Sequence, residues 1–152
     1  MLEGVNYVGT ISVFKNGELV RKQKNVLLNT GKDYLIKRIM DDGTAPTSGT
    51  ACHAFYVGTT VSAGAAVAGD TTAQNTEIGR MAFTYTTGAT IGACSATATF
   101  DTGTAVGSIT EAGIFAGGLT SGDGVFFART LFSAVSKGTG DRLTVKWDVS
   151  FA

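Results

Sequence analysis

Near its C-terminus the chain alternates strictly between apolar and polar side chains. The apolar positions are Leu143, Val145, Trp147, Val149 and Phe151. The polar positions between them are Thr144, Lys146, Asp148 and Ser150. Because successive side chains of a β-strand point to opposite faces, this period of two predicts a strand over 142–151 with one dry and one solvated face.

The composition extends this prediction to the rest of the chain. The 152 residues include 21 glycines and one proline, and charged residues make up only 16%. Thr, Ala and Val recur where a helical protein would place Glu, Lys and Leu, which is typical of strands joined by glycine turns. A chain of this length buries roughly 68–70% of its unfolded surface on folding. We therefore expect a single domain over residues 1–152 with its own core.

The N-terminal part predicts a β-hairpin over residues 7–22. The segment 7–14 has a strand pattern, and the segment 18–22 returns beside it. Asn16 and Gly17 between them can supply the two positive φ values of a type I′ turn.

One short helix is predicted over residues 31–41. Thr30 stands three residues before Asp33, and such a pair can satisfy the free backbone N–H groups at a helix start. Residues at four-residue spacing would form one apolar stripe on this helix. They are Leu35, Ile36, Ile39 and Met40.

Further strands are predicted at 52–58, 81–86, 90–100, 108–115 and 125–132. The stretch 58–76 is rich in Gly, Ala, Thr and Val, and we expect a loop that is functional or that orders on meeting a partner. About eight short strands, glycine turns and one helix predict a mostly β fold, a two-sheet β-sandwich with a jelly-roll-like arrangement.

Charge and hydropathy narrow the class of partner. Lys plus Arg number 12 and Asp plus Glu number 12, so no global field attracts nucleic acid or an anionic membrane. No apolar run approaches the ~20 residues that span a bilayer, and residues 1–6 lack the pattern of a signal peptide. We expect synthesis in the cytoplasm, a protein partner, and no direct contact with nucleic acid or membrane. In a reducing compartment Cys52 and Cys94 would stay thiols.

Basic residues are concentrated between Lys15 and Arg38. The ordinary use of such residues is a solvated face. The alternative is a surface that meets a partner of complementary charge. The candidate contact residues on the hairpin are Lys15, Arg21, Lys22 and Lys24.

The motifs that could carry catalysis are isolated. Asp101, Thr102 and Gly103 match the short Asp-Thr-Gly sequence of aspartic proteases, in which two such aspartates share one proton. A surface turn, in which the Asp101 side chain bonds backbone N–H groups, is the favoured interpretation. His53 is the sole histidine, so one chain cannot supply two imidazole ligands to a metal ion. We expect no catalytic residue, no metal site and no cofactor.

The aromatic residues mostly stand at predicted strand positions. They could pack in the core or form a stacking platform for a sugar or a single-stranded nucleic acid. Few basic residues accompany them, which favours core packing.

Several short motifs follow one another in an order that resembles a known family. They are Asn29-Thr30-Gly31-Lys32-Asp33, Val57-Gly58-Thr59, Asp70-Thr71-Thr72, Glu77-Ile78-Gly79-Arg80, Ile109-Thr110-Glu111-Ala112-Gly113-Ile114-Phe115, Phe127-Ala128-Arg129, Lys137 and Asp141-Arg142-Leu143-Thr144-Val145-Lys146-Trp147. In this order they resemble a family of tailed-bacteriophage virion structural proteins, whose members include capsid decoration proteins and tail-fibre components. The resemblance spans most of the chain, except the segment 62–69 and the residues around His53. It implies a structural protein and not an enzyme.

Four charged residues of these motifs are candidates for ion pairs. Glu111 lies in an apolar strand and Arg129 follows three apolar residues. Burying either charge alone is costly, so each needs an opposite charge. We expect Glu77 or Glu111 to pair with Arg80 or Arg129, inside the sandwich or across a subunit contact.

The leading hypothesis is a capsid decoration, or cement, protein on the outer surface of the virion. Its copies would form a small symmetric oligomer, expected to be a homotrimer, and would bind the major capsid protein through many repeated contacts. The hairpin and the segment 58–76 are the candidate capsid-facing surface. The alternative is a tail, baseplate or fibre component that binds a receptor through exposed aromatic residues. A third class is an aspartic-type hydrolase that uses Asp101 of two chains.

Overall fold

A computed structural model describes residues 6–40, 52–59, 66–70, 76–88, 90–117, 119 and 124–151 of the protein. The strands and the helix in chain order are β1 (Tyr7–Lys15), β2 (Glu18–Lys24), β3 (Val26–Leu27), α1 (Asn29–Met40), β4 (Cys52–Thr59), β5 (Thr76–Ala82), β6 (Thr84–Thr87), β7 (Ala93–Phe100), β8 (Gly107–Ala116), β9 (Val125–Lys137) and β10 (Leu143–Phe151).

The described strands form two antiparallel sheets. The first sheet has the order β2-β1-β10-β7-β6, and the second has the order β3-β9-β8-β4-β5. Only Phe83 separates β5 from β6, so the chain passes at this point from the edge of the second sheet to the edge of the first. The fold is a two-sheet β-sandwich with one short helix, as the sequence predicts.

The main core lies between the two sheets. In the first sheet Trp147 of β10 stands between Ile11 of β1 and Ala96 of β7, and all three side chains are buried. The second sheet contributes Phe55 and Ile114, both fully buried. The strict alternation of β10 thus places one row of apolar side chains against the opposite sheet. Burying each large side chain stabilises the fold by about 1.5–3 kcal/mol.

The predicted hairpin is present, and its second strand extends two residues further, to Lys24. Asn16 has φ of 51° and Gly17 has φ of 86°, which are the positive values that the turn requires. A bulge between Val13 and Phe14 adjusts the register of β1 and β2.

The helix differs from the prediction in its start and in its buried face. It begins at Asn29, so Thr30 lies inside the helix, and the Thr30 hydroxyl donates to the carbonyl of Phe126, 2.5 Å away. Gly31 lies so close to β9 that a Cβ there would be 2.3 Å from the Phe127 carbonyl oxygen. Docking on β9 therefore sets the buried face, which contains Tyr34, while Ile36 of the predicted stripe is 59% exposed. The side chains of Ile39 and Met40 lie outside the described residues.

The predicted loop over 58–76 was wrong at both ends. Gly58 and Thr59 complete β4, and Thr76 begins β5. Residues 66–70 form a turn, and the remaining part of the segment lies outside the described residues. The strand predicted over 81–86 is also divided at Phe83, because the chain changes sheets there.

Candidate functional site

The outer face of the second sheet, turned away from the first sheet, carries charged side chains that are buried. Ile114 and Ala128 pair across β8 and β9 and point into the main core. The neighbouring positions Gly113 and Arg129 also pair, and Tyr56 of β4 lies opposite Gly113. By strand alternation these residues lie on the outer face. Arg129 is nevertheless only 1% exposed.

The Arg129 guanidinium binds two carboxylates. Its Nε lies 2.9 Å and its Nη2 lies 2.5 Å from Glu111 Oε2. Its Nη1 lies 2.5 Å from Asp70 Oδ2. Glu111 and Asp70 are themselves buried. Each charge therefore has the opposite charge that burial demands.

Asp70 is held in place by the turn that contains it. Its Oδ2 also accepts a hydrogen bond from the backbone N–H of Val67, at 3.1 Å. The same turn contacts the start of α1, where the N–H of Asn29 donates to the carbonyl of Ala68 at 2.7 Å. Asp70 thus joins the turn 66–70 to β9, and Ala68 joins the same turn to the helix.

A second ion pair lies on the same sheet. Arg80 of β5 donates from Nε to Glu77 Oε1 at 2.9 Å and from Nη2 to Glu77 Oε2 at 2.8 Å. This two-pronged geometry is a strong form of the Arg–carboxylate bond. The Arg80 guanidinium carbon also lies 3.9 Å from the centre of the Phe115 ring, a cation–π contact. The structure therefore places the four expected residues in two pairs within one chain, Glu77 with Arg80 and Glu111 with Arg129.

Tyr56 lies beside this network with its hydroxyl buried. The Glu111 carboxylate lies close enough to interact with that hydroxyl. Burial, and then the charge of Glu111, raise the pKa of the Tyr56 phenol well above its usual range. The phenol therefore stays neutral next to the carboxylate.

Lys137, at the end of β9, is buried apart from this network. Its Nζ donates to the carbonyls of Asp101, Thr104 and Asp141 at 2.9, 2.7 and 2.8 Å. Lys137 is 1% exposed, so backbone oxygens take the place of its hydration shell.

Asp101 lies in a surface turn and not in a cleft. Its side chain is 63% exposed and pairs with Arg142 at 3.2 Å, and Gly103 beside it has φ of 76°. The Asp101 carbonyl accepts the N–H of Thr104, whereas the sequence predicts that the carboxylate bonds backbone N–H groups. The carboxylate binds Arg142 because β10 starts next to this turn.

The four candidate contact residues of the hairpin are used in different ways. Lys15 binds Asp141 at 3.1 Å, and Arg21 donates to the carbonyl of Ser133 at 2.9 Å and to that of Ala134 at 3.1 Å. Lys22 and Lys24 are exposed. The structure therefore leaves Lys22 and Lys24 as the accessible cations among these four.

Lys22 and Lys24 lie on a polar face. They pair with Ser12 and Thr10 of β1, whose own partners on β10 are Lys146 and Asp148. This outer face of the first sheet also carries hydroxyl side chains from β6, β7 and β10: Thr84, Thr86, Ser95, Thr97, Thr99, Thr144 and Ser150. The face is rich in hydroxyl groups and bears lysines at one side.

Most aromatic side chains pack inside the molecule. Phe115 and Phe126 stack with ring centres 4.8 Å apart, and Phe127 meets Trp147 edge to face at 5.8 Å. Among the described residues, Tyr85 is 68% exposed and Phe151 is 37% exposed.

The remaining sequence candidates contribute little to a site. The side chains of His53 and Cys52 lie outside the described residues, and Cys94 is a half-buried thiol whose pKa is raised by burial and by Asp148. Across the described ranges no three His, Cys, Asp or Glu side chains are arranged to hold a metal ion. Within the same ranges, no helix has the length and apolar character to cross a membrane.

The sequence patterns do not identify the partners of two buried charged residues. Asp70 and Lys137 both lie in the motifs that carry the family resemblance, but their partners are distant in sequence or are backbone atoms. Comparison with protein-family models, with curated proteins and with solved structures finds no match to this chain.

Proposed function

We propose that the protein is a structural component of a bacteriophage virion, a capsid decoration protein that binds the outside of the major capsid shell. One observation carries this proposal. Six charged residues of the motifs that resemble the phage family bind each other or backbone atoms inside the fold: Asp70, Glu77, Arg80, Glu111, Arg129 and Lys137. Side chains used in this way hold the molecule together and are not free to act on a substrate.

The buried network of Arg129, Glu111 and Asp70 suits a protein that must stay rigid while it is bound to a capsid shell. Breaking a buried ion pair by removing one partner costs about 3–5 kcal/mol, so such pairs resist local opening. Here the bonds of Arg129 join β8, β9 and the turn 66–70. The second sheet is therefore braced on its outer face as well as in the core.

The outer face of the first sheet is the surface that we propose for the shell contact. Lys22 and Lys24 are exposed there, close to Lys146 and the hydroxyl-bearing side chains. Such a face fits an acidic, polar protein surface. Each contact is weak, but repetition by the symmetry of a shell gives a high total affinity.

The proposal is tested by rebinding. Purified protein is added to phage heads stripped of decoration proteins, and binding is measured by co-sedimentation. We expect the wild-type protein to bind heads and Lys22→Glu to bind at least tenfold more weakly, because one favourable charge contact becomes unfavourable. The matched control is Lys32→Glu on α1, an exposed lysine away from that face, which should bind as the wild type does.

Two outcomes would contradict the proposal. Failure of the wild-type protein to bind heads, together with binding to tails or host cells, would favour a tail or receptor-binding component. Equal loss of binding for Lys22→Glu and Lys32→Glu would show that the outer face of the first sheet is not the contact.

A further inference from the structure

Among the described residues, the β6 strand is an edge of the first sheet without the usual protection. It is bonded to β7 on one side, and no described strand pairs with its other side. All four of its residues, Thr84–Thr87, are exposed, and none is charged or proline. A strand of this kind presents free backbone groups to which another strand can bind.

The other three edges of the sandwich are protected in recognised ways. The β2 edge carries lysines, and its Arg21 reaches across to β9. The β3 edge has only two residues. The β5 edge carries the Glu77–Arg80 ion pair. Very short length and charge are devices that prevent edge pairing in natural proteins, and the four-residue β6 is longer than β3 and, unlike β2 and β5, carries no charge.

The hydrogen-bond pattern shows which backbone groups of β6 are free. The N–H of Gly88 donates to the carbonyl of Ala93 at 2.8 Å, which makes them a hydrogen-bonded pair. In an antiparallel pair such positions alternate, so Thr86 and Thr84 also bond to β7. The backbone groups of Tyr85 and Thr87 therefore point away from the sheet.

Exposed apolar side chains lie on β6 and on the turn that follows it. Tyr85 is 68% exposed, and Ile91, on the turn between β6 and β7, is 99% exposed. Tyr85 borders an apolar pocket of about 300 Å³ whose lining includes Phe83, Trp147 and Phe151. The exposed Tyr85 ring and the apolar pocket beside it add apolar surface to this edge.

We propose that β6 binds β6 of a second copy of this chain, antiparallel and across a two-fold axis. Tyr85 of each copy would exchange backbone hydrogen bonds with Thr87 of the other, and the two Thr86 residues would face each other. The two five-stranded sheets would then form one continuous sheet. The lack of charge permits an identical partner, because two copies of an uncharged strand meet without repulsion, whereas the lysines of β2 would face each other in such a pair.

This inference does not depend on where the protein acts. It concerns only the purified chain, so it can fail while the virion proposal holds, and the reverse. It also differs in symmetry from the homotrimer that the sequence analysis expects, because antiparallel pairing of one strand with itself gives a two-fold dimer.

The test is sedimentation equilibrium of the full chain over a micromolar concentration series. We expect the wild-type mass to be twice that of the 15.6 kDa chain. Tyr85→Pro should reduce it to that of one chain, because proline removes an outward N–H that β7 does not use. The matched control is Lys22→Pro on the β2 edge, which should leave the dimer intact. Circular dichroism establishes that each variant is folded.

If Tyr85→Pro does not fold, a second variant, Thr86→Lys, tests the same contact. Thr86→Lys places two like charges opposite each other at the two-fold axis without changing the backbone, and it should also give a single chain. Hydrogen exchange supplies a local readout, since the amides of Tyr85 and Thr87 should be protected in the wild type and exposed in Thr86→Lys. A wild-type monomer or trimer, or a dimer unchanged by folded Tyr85→Pro or Thr86→Lys, would overturn the proposal.

Discussion

Arg129 on β9 stands directly opposite Gly113 on β8, yet its guanidinium binds Glu111, two residues further along β8. Gly113 makes room for this diagonal arrangement. A Cβ at position 113 would lie 2.3 Å from a ring carbon of Tyr56 and 2.6 Å from the carbonyl oxygen of Ala128. The buried ion pair and the Tyr56 ring therefore share one closely packed space on the outer face of the second sheet.

Replacing Glu111 by Gln should destabilise the fold. The Arg129 charge would remain buried with Asp70 as its one remaining carboxylate partner among the described residues. We expect the free energy of unfolding, measured by urea denaturation, to fall by about 2–4 kcal/mol. The control Glu18→Gln, at an exposed position of β2, should change it by less than about 0.5 kcal/mol. Equal stability of Glu111→Gln and the wild type would contradict the structural role of the pair.

Replacing Gly113 by Ala tests the packing that surrounds the pair. The new methyl group must displace the Tyr56 ring and a backbone carbonyl, so we expect a loss of about 1–3 kcal/mol in the free energy of unfolding. Gly140→Ala is the matched control, because a Cβ at position 140 meets no atom within 4 Å. If the two variants were equally stable, position 113 would not be as closely packed as the structure indicates.

Replacing Lys137 by Met should also destabilise the fold. The change keeps most of the side-chain volume but leaves the carbonyls of Asp101, Thr104 and Asp141 without their shared donor. We expect the midpoint of thermal unfolding to fall, with a loss of about 1–3 kcal/mol. Lys24→Met, at an exposed site, should have little effect, and a similar loss there would mean that the three carbonyls do not need the ammonium group.

Asp141 makes the stability of the fold depend on pH in the acidic range. The Asn16 amide, the Gly138 N–H and Lys15 bind its carboxylate and lower its pKa from 3.8 to about 2. A lowered folded-state pKa adds stability above the unfolded value, and this contribution is lost as the pH falls from 3.8 through about 2. An NMR titration should show Asp141 protonating in that range in the wild type. Asn16→Gly, which keeps the positive φ but removes the amide, should raise the pKa. An unchanged titration would contradict the role of Asn16.

The sequence predicts those parts of the fold that depend on local patterns. Alternation identifies β10, and the Asn16-Gly17 pair identifies the first hairpin, because both signals lie within a few adjacent residues. The buried face of α1 could not be found in this way. It is set by the close approach of Gly31 to β9, a contact between parts of the chain that are distant in sequence.

In the candidate site, too, local patterns predict some features, and contacts between distant parts of the chain determine the others. The cost of burying Glu111 and Arg129 alone is readable from their apolar surroundings, so their need for partners could be predicted. Asp70 could not be assigned to Arg129, because it lies in a turn with no periodic pattern. The backbone cage around Lys137 involves no side-chain acceptor, so no sequence signal identifies it.

The number of copies per particle is the most direct test of the proposed virion function. Quantitative mass spectrometry of purified phage particles measures the ratio of this protein to the major capsid protein. A decoration protein repeated by the symmetry of the shell should be present at a ratio close to that of the major capsid protein. A few copies per particle, or none, would contradict the account.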